Sequence, residues 1–428
     1  METKAYARWF RGSTPYISAH RDKTFVVLLS GEALEHVNLT NIVHDLALLH
    51  VLGVRLILVH GARPQIEQAL PESFYHLHRR VTDEAAMSTI AAVNGQIRTR
   101  LEAMFSTGLP NTPLHNVDIP VISGNFVTAR PVGIVDGVDH LFTGTVRRLD
   151  TKRIRANLDA GVLVLQSPIG FSPSGQPFNL PAEELATEIA ISIKADKLIL
   201  FDELPNLTDD SGSRISTLTP SELEQTLAGY EPDKQNRLRY LQQAVRSGVT
   251  KSHLVSFEQD GALLAELFTA EGVGTQVVEQ KNNAIRQAQL EDVAGIVEVI
   301  RPLEESGALV RRERDRLEQE IDNFLVAELD GIVVGCCAVY PFADQAELAC
   351  VAVHVNYQSG NGIGSGLLEA AEQRARQNGA KTLFALTTQT RDWFIEQGFS
   401  ESGPDALPQQ KQSLYNWQRN SAVMVKPL

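Results

Sequence analysis

The chain has 428 residues, of which 43% are hydrophobic and 21% charged, with a formal net charge of −13. That length exceeds what one hydrophobic core organises, so two or three domains are expected. The acidic balance argues against nucleic-acid or membrane-surface binding, which needs a basic face, and leaves any anionic substrate to a few local Arg or Lys residues.

The opening segment, Met1 to Lys23, has no continuous apolar core and so no secretory signal; residues 1–22 read as an N-terminal helical segment. "TFVVLLS" is a strand, "NLTNIVHDLALLHVLG" a helix stopped by Gly53, and "VRLILVH" a second strand. The apolar stretch across them is interrupted by His50, Arg55 and His60, which opposes a membrane span and points to a cytoplasmic protein. "ISGNFVTARPVGIVDGVDHLFTGTVRRLD" changes to hairpin-like segments, with Asp136-Gly137 as a turn signal, and reads as an antiparallel excursion at the sheet edge. "AGVLVLQS" (strand), "PAEELATEIAISIKA" (helix) and "DKLILF" (strand) restore the alternation. Near-continuous apolar strands separated by helices predict an α/β unit with a parallel sheet covered on both faces, over residues 23–276.

The polar stretch "VVEQKNNAIRQAQL" opens a second unit, residues 277–428, with the mixed α/β order β-α-α-β-β-β-α-β-α-β. Its first strand is "AIRQA"; a helical stripe carries Val293, Ile296, Val297 and Ile300; "RERDRLEQEIDNF" is a charged helix; "FLVAEL" and "IVVGCCAVY" form a hairpin. Cys336, Cys337 and Cys350 lie in apolar strand-like runs. An odd count without C-x-x-C spacing gives neither a disulfide framework nor a zinc site, so buried thiols and no metal are expected.

After the fourth strand comes "YQSGNGIGSGLLEA", Tyr357 to Ala370. A strand, a glycine turn and a helix N-terminus make a phosphate seat, because free backbone N–H groups point outward at the positive end of the helix. The spacing satisfies neither G-x-G-x-x-G nor a P-loop. With the element order and the later "WFIEQGF", Trp393 to Phe399, the unit resembles the GNAT acetyltransferases, whose Arg/Gln-x-x-Gly-x-Gly/Ala motif holds the pyrophosphate of acetyl-CoA. Counting back three from Gly362 reaches Ser359 and not Gln358, so this loop is one residue longer than the usual pattern.

Longer stretches sharpen the likeness. "PYISAHRDKTFVVLLSGEAL", "LGVRLILVHGARPQI", "VGIVDGVDHLFTGTVRRLDT", "LTTQTRDWFIEQGF" and "LPQQKQSLYNWQRNSAVMVKPL" resemble the bacterial two-domain N-acetylglutamate synthase family from about Ala7 to Leu428. The resemblance implies acetyl-CoA:L-glutamate N-acetyltransferase activity, the first step of arginine biosynthesis, restrained by L-arginine and carried on a hexamer. It also implies an amino acid kinase fold for the first unit. Here Leu28 stands where such kinases place a phosphate-binding lysine, and Ala62 and Arg63 replace two loop glycines. Phosphoryl transfer depends on positioned positive charge, so kinase activity is not expected. What remains is implied to be an arginine sensor, with Glu266 pairing the guanidinium, Lys197, His253 and Gly272 lining the pocket, and Tyr16 closing it.

Acetyl transfer from a thioester to an amine needs a base, an oxyanion seat and an aimed amine. In a GNAT fold the strand before the glycine loop splays from its neighbour, which implies main-chain contacts from Cys350, Val351 and Val353 to the cofactor, with Gln358, Gly360, Gly362 and Gly364 at its phosphates. Cys350 as a thiol nucleophile is disfavoured, because direct amine attack needs no acyl-enzyme. Glu347 is the candidate base: strand parity sets it beside Ala349, Val351 and Val353, and an apolar row should raise its pKa. Thr387 or Thr388 would position a water or the substrate nitrogen, and Tyr415 would protonate the departing thiolate. Arg311 and Arg419, with Lys411 as a third cation, would meet the two carboxylates of glutamate. Two other readings remain: a bifunctional acetyltransferase/kinase, and a non-catalytic arginine-binding regulator.

Overall fold

The computed structural model describes residues 13–108, 112–204, 206–209, 212–269, 272–279, 284–329, 332–357, 362–412 and 421–428. The chain divides into two compact units, Met1–Lys281 and Asn282–Leu428.

In the first unit the strand Thr24–Leu29 alternates its apolar side chains between two cores. Phe25, Val27 and Leu29 face one, and Val26 and Leu28 the other, which is the period-two consequence of the extended backbone. Helix Leu39–Val51 covers the first face through Ile42, Val43 and Leu46. Helix Ala182–Ile193 covers the second through Leu185, Ala186 and Ile189. Arg55–His60 and Lys197–Asp202 flank the first strand in parallel register, and Leu163–Gln166 and Lys251–Ser256 extend the sheet on either side. Thr275–Val278 adds antiparallel to Lys251–Ser256. The parallel, doubly covered sheet expected from the apolar runs is therefore present.

The hairpin-rich segment differs from expectation. Its first residue, Ile122, ends the edge strand Val121–Ile122 of the main sheet, parallel to Leu163–Gln166, and the remainder leaves that sheet. Val127–Pro131 and Gly144–Leu149 join Ile169–Phe171 and Pro177–Asn179 in a separate four-stranded sheet. Pro168 lies just beyond Leu163–Gln166 and cannot donate to a ladder, which separates the main-sheet strand from the next one. The Asp136-Gly137 turn is as expected: both residues have positive φ, 48° and 79°, between Ile134–Val135 and Val138–Asp139.

One buried group makes this unit pH-sensitive. His60, at the end of its strand, is fully buried. Its Nδ1–H donates to the Gly61 carbonyl at 3.0 Å, and its Nε2 accepts from the Ser167 hydroxyl at 2.9 Å. Burial, above all, lowers its pKa to about 4, opposed by the Gly61 bond and aided by Arg98. The unfolded chain therefore takes up a proton that the folded one refuses. His60's contribution is intact above pH 6.5 and is lost progressively as the pH falls toward 4, about 3 kcal/mol over the whole window. Denaturant melts at pH 7 and pH 4.5 are expected to show this loss for the wild type and a smaller one for His60→Gln.

The second unit is a seven-stranded sheet ordered Ala284–Gln287, Phe324–Leu329, Ile332–Phe342, Gln345–Val353, Thr382–Thr387, Ala422–Pro427, Ser400–Ser402. All pairs are antiparallel except Gln345–Val353 with Thr382–Thr387. Helix Val293–Glu305 buries Val293, Ile296, Val299 and Ile300, so Val299 takes the fully buried place expected of Val297, which is only partly buried. The charged helix is shorter than expected: only Arg314–Gln319 is α-helical, followed by a 3-10 turn, Ile321–Asn323, because the fully buried Phe324 already starts the next strand. Ser400–Ser402 is a strand that the sequence pattern does not signal.

Candidate active site

Two features set the geometry of the second unit. Gln345–Val353 pairs with Thr382–Thr387 only at Gln345, Ala346 and Glu347. From Leu348 onward the two strands part, so the main-chain groups of this segment that do not pair with Ile332–Phe342 face an open wedge. The same strand also carries a bulge. Ala349 opposes Ala338 and Ala352 opposes Cys336, so Cys350 and Val351 together face Cys337, and Cys350 has φ +53°. An extra residue of this kind re-aims the side chains beyond it.

The bulge corrects the parity argument. Glu347 shares a face with Ala349 and Ala352, whereas Val351 and Val353 fall on the other face, since alternation does not survive the inserted residue. Val353 meets the helix Ile363–Gln377 instead, 4.0 Å from where a Cβ on Gly364 would stand. Glu347 is 7% exposed. Its Oε2 lies 2.6 Å from Lys411 Nζ, so an ammonium, not an apolar row, is its nearest neighbour. Lys411, expected to meet substrate, is bound to the candidate base.

Tyr340 stands directly opposite Glu347 across the antiparallel pair and so shares its face. Its hydroxyl donates to Glu320 at 2.6 Å, and burial together with that bond raises its pKa. Arg312 reaches the same face. Burial disfavours its charge, but the electrostatic influence of Cys350, Tyr340 and Glu320 outweighs that and raises its pKa; its Nη1 donates to the Val310 carbonyl at 3.3 Å. Arg311 does not reach it: its side chain is 82% exposed, with Glu313 at 3.9 Å. The inward guanidinium is thus Arg312, the neighbour of the residue chosen from sequence.

Thr387 is buried, and its hydroxyl accepts from the Thr390 amide at 3.0 Å and contacts the Thr390 hydroxyl at 2.9 Å, closing the turn after its strand. Thr388 is exposed. The three cysteines are buried free thiols, and burial pushes Cys337 up to about 12. Gln358, Gly360, Tyr415 and Arg419 lie outside the described residues.

The helix Ile363–Gln377 begins at Gly362, which has φ +61° and no side-chain cap; the first intrahelical bond runs from Gly366 N–H to the Gly362 carbonyl at 2.9 Å. The amides of Ile363, Gly364 and Ser365 therefore have no partner within the helix. A Cβ on Gly364 would lie 3.3 Å from Trp393 Cζ2. The glycine turn and the aromatic-rich helix, two separate motifs in the sequence, thus pack on each other. A splayed strand, an uncapped fifteen-residue helix and small residues at its start fit a pyrophosphate-bearing thioester donor such as acetyl-CoA.

In the first unit Lys197, His253, Glu266 and Gly272 do come together. Lys197 Nζ is 3.4 Å from His253 Nε2, and His253 Nδ1 is 2.7 Å from Glu266 Oε1. Glu266 Oε2 accepts from the amides of Val273 and Gly274 at 2.9 and 2.8 Å. Burial pushes its carboxyl up, but the His253 bond and these amides hold it below its usual value. Burial likewise lowers His253. Both oxygens of Glu266 are engaged, so the free bidentate carboxylate expected from sequence is absent in this arrangement. Tyr16 sits on helix Thr14–His20, whose His20 Nε2 meets the Leu267 carbonyl at 2.8 Å on the helix carrying Glu266.

The fold and this wedge define a GNAT acyltransferase unit joined to an amino acid kinase-like unit. Residues 23–255 match the Amino acid kinase family and residues 291–399 the Acetyltransferase (GNAT) family. The chain is 50% identical over 99% of both lengths to an amino-acid acetyltransferase of Azotobacter vinelandii, and 46% identical over the full length of both to one of Vibrio vulnificus. It is similar to the crystal structure of N-acetylglutamate synthase from Neisseria gonorrhoeae complexed with coenzyme A and L-arginine (TM-score 0.87, 35% identity, 99% of both chains). Against the same enzyme complexed with coenzyme A and N-acetyl-glutamate the TM-score is 0.63 at 36% identity, again over 99% of both chains. The chain belongs to the amino-acid acetyltransferase family and is an acetyl-CoA-dependent enzyme. Among the described residues no helix is long and apolar enough to cross a membrane, and no cluster of three His, Cys, Asp or Glu could hold a metal.

Proposed function

We propose that the acceptor is the α-amino group of L-glutamate, that the product is N-acetyl-L-glutamate on the route to arginine, and that L-arginine restrains the reaction. The transfer is assigned to residues 277–428 and the effector to residues 23–276. The observation that carries the reading is the buried Glu347 at the point where two strands part, with Arg312 converging on the same face. The neighbour complexed with N-acetyl-glutamate supports the choice of acceptor, and the one complexed with L-arginine the effector.

When bound, acetyl-CoA would supply a thioester carbonyl open to amine attack, the C–S bond breaking as the C–N bond forms and coenzyme A leaving as its thiol. Glu347 takes the amine proton through a water, with Lys411 beside it to balance charge. Arg312 holds a substrate carboxylate as a planar fork. The main-chain amides of Leu348–Val353 that are turned away from Ile332–Phe342 would face the developing oxyanion, and those of Ile363 to Ser365 the phosphates. For arginine, the cluster at Glu266 is the candidate pocket; a guanidinium entering it displaces the His253 or amide bonds, which ties binding to rearrangement of the turn at Gly272.

Thiol release from acetyl-CoA, measured with a panel of amino acids, tests this. L-Glutamate is expected to be preferred over aspartate, glutamine and alanine by at least about tenfold in kcat/KM, and added L-arginine to slow the reaction. Equal rates with glutamine would remove the dicarboxylate assignment, and indifference to arginine would remove the effector.

A further inference from the structure

The first unit contains a cavity of about 390 Å³ at the carboxyl ends of Thr24–Leu29 and Arg55–His60, lined by Leu28, Gly31, Gly61, Glu183 and Arg237 among others. That is within the range of small-molecule sites, ~300–1,000 Å³, and lies where parallel α/β sheets hold ligands. It is separate from the Glu266 cluster, none of whose residues line it.

Its chemistry is not that of a phosphate site. A Cβ on Gly61 would stand 2.8 Å from the Gly31 amide nitrogen, and one on Gly31 2.3 Å from Pro64 Cδ, so the two loops are closed on each other. Gln65 Nε2 donates to the Gly31 carbonyl at 2.7 Å across that contact. Leu28 brings no charge. The arginines around the cavity are already paired: Arg63 with Glu67 at 3.2 Å, Arg79 with Glu184 at 2.6 Å, Arg80 with Glu67 at 3.6 Å and Arg237 with Asp202 at 3.2 Å.

Two lining acids are left over. Glu183 lines the cavity and is half-buried. Among the described residues it accepts only from its own amide, and burial pushes its pKa up, with Glu32 adding to the rise and Arg237 and Arg63 opposing it. Glu32 also lines the space and has no ion pair among the described residues. A half-buried carboxylate such as Glu183, with no direct ion-pair partner among the described residues, carries a desolvation cost, and a donor entering the cavity relieves it.

We propose that this cavity, the relic of a kinase site, is a ligand site of reversed charge preference: it takes a small molecule bearing an ammonium or guanidinium group, of free amino-acid size, on Glu183 and Glu32. The acetyl-transfer reaction does not depend on it. Calorimetric titration of the full chain with L-lysine, L-ornithine and agmatine is the direct test, with inorganic phosphate and ADP as the opposing arm. At least one amine probe is expected to bind. Glu183→Gln is expected to weaken that binding about tenfold or more and to leave the rate of thiol release unchanged. Glu32→Gln, at an exposed position, is expected to weaken it in the same direction and serves if the first variant does not fold. The proposal is overturned if no amine probe binds up to about 10 mM, if phosphate or ADP binds in their place, or if both variants bind like the wild type.

Discussion

Glu347→Gln is expected to lower kcat by about 10² to 10⁴-fold while leaving acetyl-CoA affinity within about twofold, because a general base contributes in that range and touches the proton, not the donor. The substitution keeps the side-chain volume at a position 7% exposed. It removes the charge that holds Lys411 at 2.6 Å. A structural collapse of the site would degrade donor binding together with turnover, so the split between the two separates a base from a mere packing residue. Equal losses in both would remove the assignment.

Arg312→Met is expected to raise the KM for glutamate by about 10²-fold, since a charge-assisted hydrogen-bonded pair contributes about 1.5–3 kcal/mol and the remaining carboxylate is left unpaired. Arg311→Met, at a side chain 82% exposed, is expected to change KM by less than about twofold. Steady-state kinetics of the two variants side by side decide between adjacent arginines. If Arg311→Met carries the larger defect, the inward placement of Arg312 is not the one that meets substrate.

The difference between those two residues shows where sequence reading stops. In "ALVRRERD" nothing in composition or spacing distinguishes Arg311 from Arg312. In an irregular segment the direction of each side chain depends on where the chain is anchored. Here the Arg312 amide donates to Glu304 Oε1 at 2.8 Å, a tertiary bond eight residues away in sequence. The bulge is a similar case. Strand parity from Glu347 to Val353 is a sound inference for a regular strand, and it fails because one residue, Cys350, takes φ +53°. Cys has no propensity for that conformation that a sequence could advertise. Glu266 is a third instance. Its partner His253 is named from the sequence, and Val273 and Gly274 follow the named Gly272, but whether its oxygens stay free is a question of distances.

By itself the amino-acid order determined the two-unit α/β organisation, the covered parallel sheet, the hairpin turn at Asp136-Gly137, the glycine start of helix Ile363–Gln377 and the neutral Leu28 in place of a lysine. These are local matters: apolar periodicity, turn chemistry and the presence or absence of a charge act over a few neighbouring residues. Only the tertiary structure decided which arginine turns toward Tyr340 and Glu320, that Lys411 pairs with Glu347, and that among the described residues Glu183 and Glu32 beside the cavity have no ion pair. Those outcomes depend on side chains distant in sequence meeting at hydrogen-bond range, where a shift of one residue exchanges a buried partner for solvent.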